Sequence, residues 1–194
     1  MCAPTSTPPV PSRGRSQGAE SNHKNLLHEP ADHALGRSRG GGTTKIHALS
    51  DAWCAPVTVL LSAGQDGDNP MLAPLLCEHP GAHRQQNLRL LGDKAYSHPN
   101  TRARLRQMKI RATIPERCDQ ITRRKAKGCA GGRPPAFDPE LYCHRNTVER
   151  GFNRLKQWRG VASRYDKYAL TYLGGVMLAA ILIHHRVRQL ADTP

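Results

Sequence analysis

Apolar positions fall into ordered runs only from Thr43 onward. Between Met1 and Gly42 they follow neither a two-residue nor a 3.6-residue period, and Pro, Ser, Gly, Arg and His dominate. Residues 1–42 are therefore expected to form a flexible basic arm that cannot offset the entropy of ordering itself. The segment TTKIHALSD then reads as a strand, Ala55-Pro56 as a turn, and VTVLLSAG as a second strand rich in β-branched and aliphatic residues, which predicts a hairpin. Asp66 to Pro70 supply a turn, a cap and a proline at the first helical position for a short helix over MLAPLLCEH, despite Pro74 inside it.

Further along, a brief apolar run, Leu88 to Leu91, ends in Gly92-Asp93, and Pro99 to Met108 is helical in composition. Lys109 to Pro115 is again strand-like. Arg123, Arg124, Lys125 and Lys127 lead into a glycine-rich stretch, so residues 123–135 are expected to be a basic loop, mobile until it meets a phosphate backbone. Asp138 as N-cap and Pro139 at the first position start a long helix that runs past Trp158, and a second helix spans about Tyr168 to Arg188. Strands followed by strand-helix units predict an α/β domain with a mixed sheet over residues 43–190.

A chain of 194 residues buries one core of ordinary size. Its 29 Lys plus Arg against 15 Asp plus Glu give a net charge of +14, which points to a polyanionic partner. Aromatic residues make up only 5% of the chain, too few for a single-strand binder built on stacking platforms, so duplex phosphate is the better match. The six cysteines are scattered without a CxxC pair and read as free cytosolic thiols, not as a zinc site. The apolar stretch Tyr168 to Ile183 is broken by Thr171, Gly174 and Gly175 and reads as a packed helix, not an anchor.

Candidate chemistry concentrates in DPELYCHRNTVERGFNRLKQWRG. On a helical wheel Tyr142, Arg145, Glu149, Phe152 and Lys156 fall on one stripe, roughly 80° wide, beside a second stripe of Leu141, Val148 and Leu155 that faces the core. Two readings stand. Arg145 and Glu149 form an ordinary i,i+4 surface pair, or Glu149 is a metal-binding carboxylate flanked by phosphate-binding cations.

The spacing of Tyr142, Arg145, Glu149 and Lys156 resembles the Y-R-E-K signature of insertion-sequence DDE transposases at every position. GRSRGGGTTKIHALSD, VTVLLSAGQDGD, LGDKAY, IRATIPE, GGRPPAFD and RLKQWRGVASRYDK resemble blocks of the same family in their usual order, so the likeness covers about residue 30 to the end. The resemblance implies a ribonuclease-H-like fold and metal-dependent cutting and joining of DNA. It places the second catalytic acid on Asp93 and the third on Glu149, both as ligands of Mg²⁺ or Mn²⁺, with two ions in an intact site. It also implies that Tyr142, Arg145 and Lys156 position DNA, while Arg123, Arg124, Lys125 and Lys127 make nonspecific phosphate contacts.

The family's first catalytic Asp has no evident counterpart upstream of Gly42, because Glu20, Glu29 and Asp32 sit in polar, Pro- and Gly-rich sequence. The opening strand of the sheet is accordingly expected to be missing. The expected partners are double-stranded DNA, a second copy of the chain on that DNA, and an upstream transposase fragment, with a cytoplasmic, nucleoid-associated location and no membrane. Two rivals remain open: a catalytically inactive DNA-binding remnant and a basic RNA-binding protein.

Overall fold

The computed structural model describes residues 29–38, 41–79 and 88–191. The predicted hairpin forms from β2 (Gly41–Ser50) and β3 (Pro56–Ala63), antiparallel with Ile46 opposite Leu61, and β1 (Gly36–Ser38) pairs with the start of β2. Asp51 Oδ1 closes the β2–β3 turn by accepting the N–H groups of Trp53 and Ala55, both at 2.9 Å. Cys54 occupies the left-handed region there, at φ 65°.

Helix α1 (Asp68–Glu78) leads to a second sheet, in which β4 (Arg89–Leu91) and β5 (Arg111–Thr113) run parallel around the crossover helix α2 (Pro99–Gln107). The chain then continues through α3 (Cys118–Ala126), α4 (Pro139–Tyr142), α5 (Asn146–Lys156), α6 (Arg159–Ala162) and α7 (Ala169–Ala191).

Because successive strand residues point to opposite faces, β2 serves two cores. Ile46 and Ala48 pack with Val59, Leu155, Tyr172, Val176 and Ile183, beneath α5 and α7. Leu49 packs on the other side with Leu72, Leu76, Leu105, Ile110 and Ile114. Burying both faces is what positions the hairpin between the helices.

Four expectations need correction. The α/β class holds, but the sheet is divided in two among the described residues, β1-β2-β3 and β4-β5. Gly64 N–H donates to Thr43 O, so the backbone groups of Ile46 and Ala48 point away from β3. Arg111 N–H donates to Leu88 O and Gly92 N–H to Thr113 O, so those of Arg89 and Leu91 point away from β5. These two edges face a cleft instead of each other.

Residues 29–38 and 41–42, expected in the flexible arm, belong to the folded domain. The buried Glu29 carboxylate accepts the N–H groups of Ala169 (2.6 Å) and Leu170 (2.9 Å), satisfying two free donors at the start of α7. Burial works against its charge, but bonds from Leu170 N–H, the His33 ring and Ala169 N–H outweigh that and hold its carboxyl below the usual range. Arg164 ties the same segment down, bonding Ala34 O and the Thr44 hydroxyl while its guanidinium lies 5.3 Å from the Tyr172 ring. Residues 1–28 of the expected arm lie outside the described residues.

The expected mobile loop at 123–135 starts as helix: Arg123, Arg124 and Lys125 belong to α3, and a 3-10 turn follows at Gly128–Gly131. Asp119 in the first turn and three cations in the last complement the helix dipole. The long helix after Asp138 begins as expected, with the Asp138 carboxylate capping Leu141 N–H at 3.0 Å, but tightens to a 3-10 turn at Cys143–Arg145 and stops at Lys156.

Helix α7 is longer than the apolar run suggested. Over Ala169–Gln189 its mean hydropathy of 1.4 and its length meet the requirement for crossing a bilayer, yet one of its faces is packed into the core. Of the cysteines, Cys54 is buried and free, and Cys77, Cys118, Cys129 and Cys143 are exposed and free; Cys2 lies outside the described residues.

Candidate active-site cleft

A cleft of about 580 Å³ lies between the outer edges of β2 and β4. Ala48, Leu49, Leu72, Leu75 and Leu90 line its apolar part, Leu141 and Val148 close it from α4 and α5, and Asp51, Arg89, Asp93, His144 and Arg145 supply charge and polarity.

Asp93 is placed there by β4 and by Gly92. A Cβ at Gly92 would lie 3.3 Å from the Ile114 side chain, so the glycine lets the chain leave the strand tightly against β5. Asp93 then caps the 3-10 turn Lys94–Tyr96 through an Oδ1 bond from Ala95 N–H at 2.9 Å. Its carboxylate is exposed. The neighbouring Tyr96 hydroxyl is pushed up to about 12, first by burial and then by the charges of Asp68 and Asp93.

From the opposite wall, Arg145 reaches the same cleft. Its guanidinium lies 5.8 Å from the Tyr142 ring and donates to Glu149 Oε1 at 2.6 Å. The Tyr142 ring packs in turn on Phe137, with centroids 5.2 Å apart. The i,i+4 pair of the first reading is thus present. Glu149 itself is 56% exposed and does not line the cleft. Of the core stripe, Leu155 is fully buried, whereas Leu141 and Val148 form cleft wall. Lys156 is exposed in the last turn of α5.

The basic group is divided in the fold. Arg124 is committed to Glu116 through two bonds, 2.9 and 3.3 Å, with both side chains largely buried. Arg123 makes only a long contact of 3.8 Å to Asp119, and Lys125 and Lys127 are exposed.

Sequence reasoning did not select Asp51, His144 or Arg89 as cleft residues. Arg89 lies 3.9 Å from Asp138 and so links β4 to the cap of α4. The available signal was the position of Asp51 at the end of a strand. Its Oδ1 is spent on the turn, and its Oδ2 lies 4.0 Å from His184, whose Nε2 donates to Pro56 O. Asp68, expected as a cap or turn residue, forms an ion pair with Lys45 at 3.0 Å in the first turn of α1.

The hard carboxylate oxygens of Asp93 and Glu149 suit Mg²⁺ or Mn²⁺. Among the described residues, however, no group of three or more His, Cys, Asp and Glu side chains converges to hold an ion. The donor chemistry fits, while Asp93 lines the cleft and Glu149 stands outside its lining, paired with Arg145.

The family described as "Transposase DDE domain" matches residues 18–183. A protein of Brucella ovis, named as a transposase assigned to insertion sequence element IS6501, is 30% identical over 141 residues, which cover 73% of this chain and 97% of that protein. No solved structure matches the chain. The match over most of the chain, together with a relative aligned along nearly its whole length, makes this chain a member of the DDE-class insertion-sequence transposases.

Proposed function

We propose that the cleft between β2 and β4 is the DNA-processing site of this transposase, acting in cleavage and strand transfer at insertion-sequence ends. The observation that carries the reading is that Asp93, leaving β4, and Arg145, which holds Glu149, reach the same region from opposite walls. Asp93 and Glu149 would be the metal ligands. A bound divalent ion would supply Lewis-acid stabilisation and a more acidic water or 3′-hydroxyl at the scissile phosphate.

The chain's own groups have separable tasks. Arg145 orients Glu149, and Tyr142 fixes the guanidinium by stacking beneath it. Lys156 lies about two turns beyond Glu149 on the same helix, where it would take a DNA phosphate. Arg123, Lys125 and Lys127 would add sequence-independent phosphate contacts; Arg124 would do so only by loosening its pair with Glu116.

The two open strand edges fit a ribonuclease-H-like sheet that an upstream strand, bearing the first acid, would complete by pairing with both. The rival to this reading, and the second one the test addresses, is a DNA-binding chain without catalysis of its own.

The test is cleavage and strand transfer of a labelled insertion-sequence end with Mn²⁺ or Mg²⁺, comparing the chain with Asp93→Ala and Glu149→Ala, each with and without an upstream transposase fragment. Activity lost in both variants supports the site. Duplex binding without cleavage under every condition supports the second reading, and a preference for structured RNA over duplex DNA would reject both.

A further inference from the structure

We infer that Arg102 and Gln120 are positioning residues for the cleft acid Asp93, acting on it through the buried carbonyl of Ser97. The inference rests on the proposed role of Asp93 as a metal ligand. Among the described residues β4 pairs with β5 alone, so the sheet braces Asp93 from one side and leaves its carboxylate exposed at the cleft. Past Gly92 the acid is held by the turn it caps, Lys94–Tyr96, whose far end is Ser97. Ser97 is buried, and each of its polar groups is used. Its N–H and its hydroxyl both donate to Lys94 O, at 3.2 and 2.7 Å. Its carbonyl oxygen accepts from Arg102 Nε at 3.4 Å and from Gln120 Nε2 at 3.2 Å.

Both donors are anchored elsewhere. Arg102 Nη2 donates to Ile114 O at 2.8 Å and to Pro115 O at 3.4 Å, which ties α2 to the chain leaving β5. Gln120 Oε1 accepts the Arg117 N–H at the start of α3. The planar guanidinium, with donors in a fixed fork, spans the carbonyls of Ser97, Ile114 and Pro115 at once, a geometry that a single ammonium on a flexible stem does not reproduce. The segment Gly92 to Ser97 is thereby referred at both ends to one buried residue of the second core. Gly92 packs on the Ile114 side chain, and Ser97 reaches the Ile114 carbonyl by way of Arg102. A displaced Ser97 moves the 3-10 turn as a unit and carries its capping acid with it. Ligands of a working site tolerate about 0.5 Å of such movement.

Two variants separate positioning from folding. Gln120→Glu keeps an acceptor for the Arg117 N–H and loses the donor to Ser97 O, whereas Arg102→Lys keeps the charge and loses the fork. The first readout needs no catalysis: amide hydrogen exchange of the full chain, resolved at Ala95 and Ser97, whose N–H groups bond Asp93 Oδ1 and Lys94 O. Gln120→Glu should speed exchange at these two amides roughly 5- to 10-fold, the scale of one net hydrogen bond, and Arg102→Lys by at least as much. Exchange at His47 and Leu60, paired across β2 and β3, should not change in Gln120→Glu. The second readout is cleavage of a labelled insertion-sequence end with the upstream fragment present. Both variants should raise the Mn²⁺ concentration for half-maximal cleavage on the order of 10-fold, as loss of a partner behind a metal ligand does, with duplex affinity unchanged. Unaltered exchange at Ala95 and Ser97, exchange in Gln120→Glu that rises equally at His47 and Leu60, or a wild-type Mn²⁺ dependence in both variants overturns the inference. A wild type that cleaves under no condition sinks the reading of Asp93 as a ligand instead, and the exchange data still decide whether Arg102 and Gln120 set the place of that acid.

Discussion

Replacing Glu29 by Ala should destabilise the whole domain, although this residue lies far upstream of the first long strand. Its side chain is only 6% exposed, and its carboxylate accepts two α7 N–H groups at 2.6 and 2.9 Å while the His33 ring contacts it at 2.7 Å. Loss of a helix-capping side chain costs about 0.5–2 kcal/mol, and a negative charge at a helix N-terminus adds about 0.3–1 kcal/mol. We therefore expect about 2 kcal/mol for Glu29→Ala and about half of that for Glu29→Gln, which keeps an acceptor but loses the charge. With a denaturant slope of about 2 kcal/mol per molar urea, Glu29→Ala shifts the unfolding midpoint down by roughly 1 M at pH 7.

The dependence on pH is also fixed. A carboxyl held below its unfolded value of 4.5 binds fewer protons when folded, so its contribution is present above that pH and disappears as pH falls through the folded value. The gap between wild type and variant should thus close in acid. A midpoint at pH 7 within about 0.2 M of wild type, short of the shift a lost cap should produce, would refute the reasoning.

Three further outcomes follow from the packing. Leu155→Ala, at a side chain 1% exposed, should cost about 2–5 kcal/mol in urea unfolding, and a cost below about 1 kcal/mol would mean the first core is misassigned. Gly151→Ala sets a Cβ 3.0 Å from the Cys54 carbonyl oxygen, which the turn fixes in place, so a loss of about 1–3 kcal/mol is expected where Ala would otherwise favour a helix. His47 is buried against the Ser62 hydroxyl at 2.8 Å, and desolvation lowers its pKa from 6.5. Since the unfolded chain then takes up the proton first, stability should fall as pH drops below 6.5, and His47→Gln should flatten that slope between about pH 7 and 5, as measured by thermal melts.

Signals that are local in the chain were legible. The hairpin could be read because β-branched and aliphatic residues surround a proline turn, and the start of the signature helix because Asp138-Pro139 is a capping pair whose bonds are short-range. The run Arg123 to Lys127 was read as loop because its charges hide a helix stabilised by Glu116, the Gln120 cap and the dipole, none of which gives an apolar period. Glu29 was passed over for a different reason: its partners lie 140 residues away, so nothing around it in the sequence reveals what it binds. The cleft shows the same division. Asp93 and Glu149 stand in recognisable blocks, whereas Asp51, Arg89 and His144 come together only when three separated segments pack.

The Glu29 clamp also sets a schedule for synthesis. At about 5–20 residues per second, the 140 residues between the carboxylate and Ala169 take roughly 7–28 s to emerge. Once the hairpin has been made within that interval, Ala55 and Val59 still lack Tyr172, Val176, Ala179 and Ile183, the residues that close the core over them. A nascent chain stalled between the hairpin and α7 would therefore expose a greasy sheet face, a state that chaperones and proteases recognise. Of the described helices, α7 is made after the others, and it commits the first strands to their place.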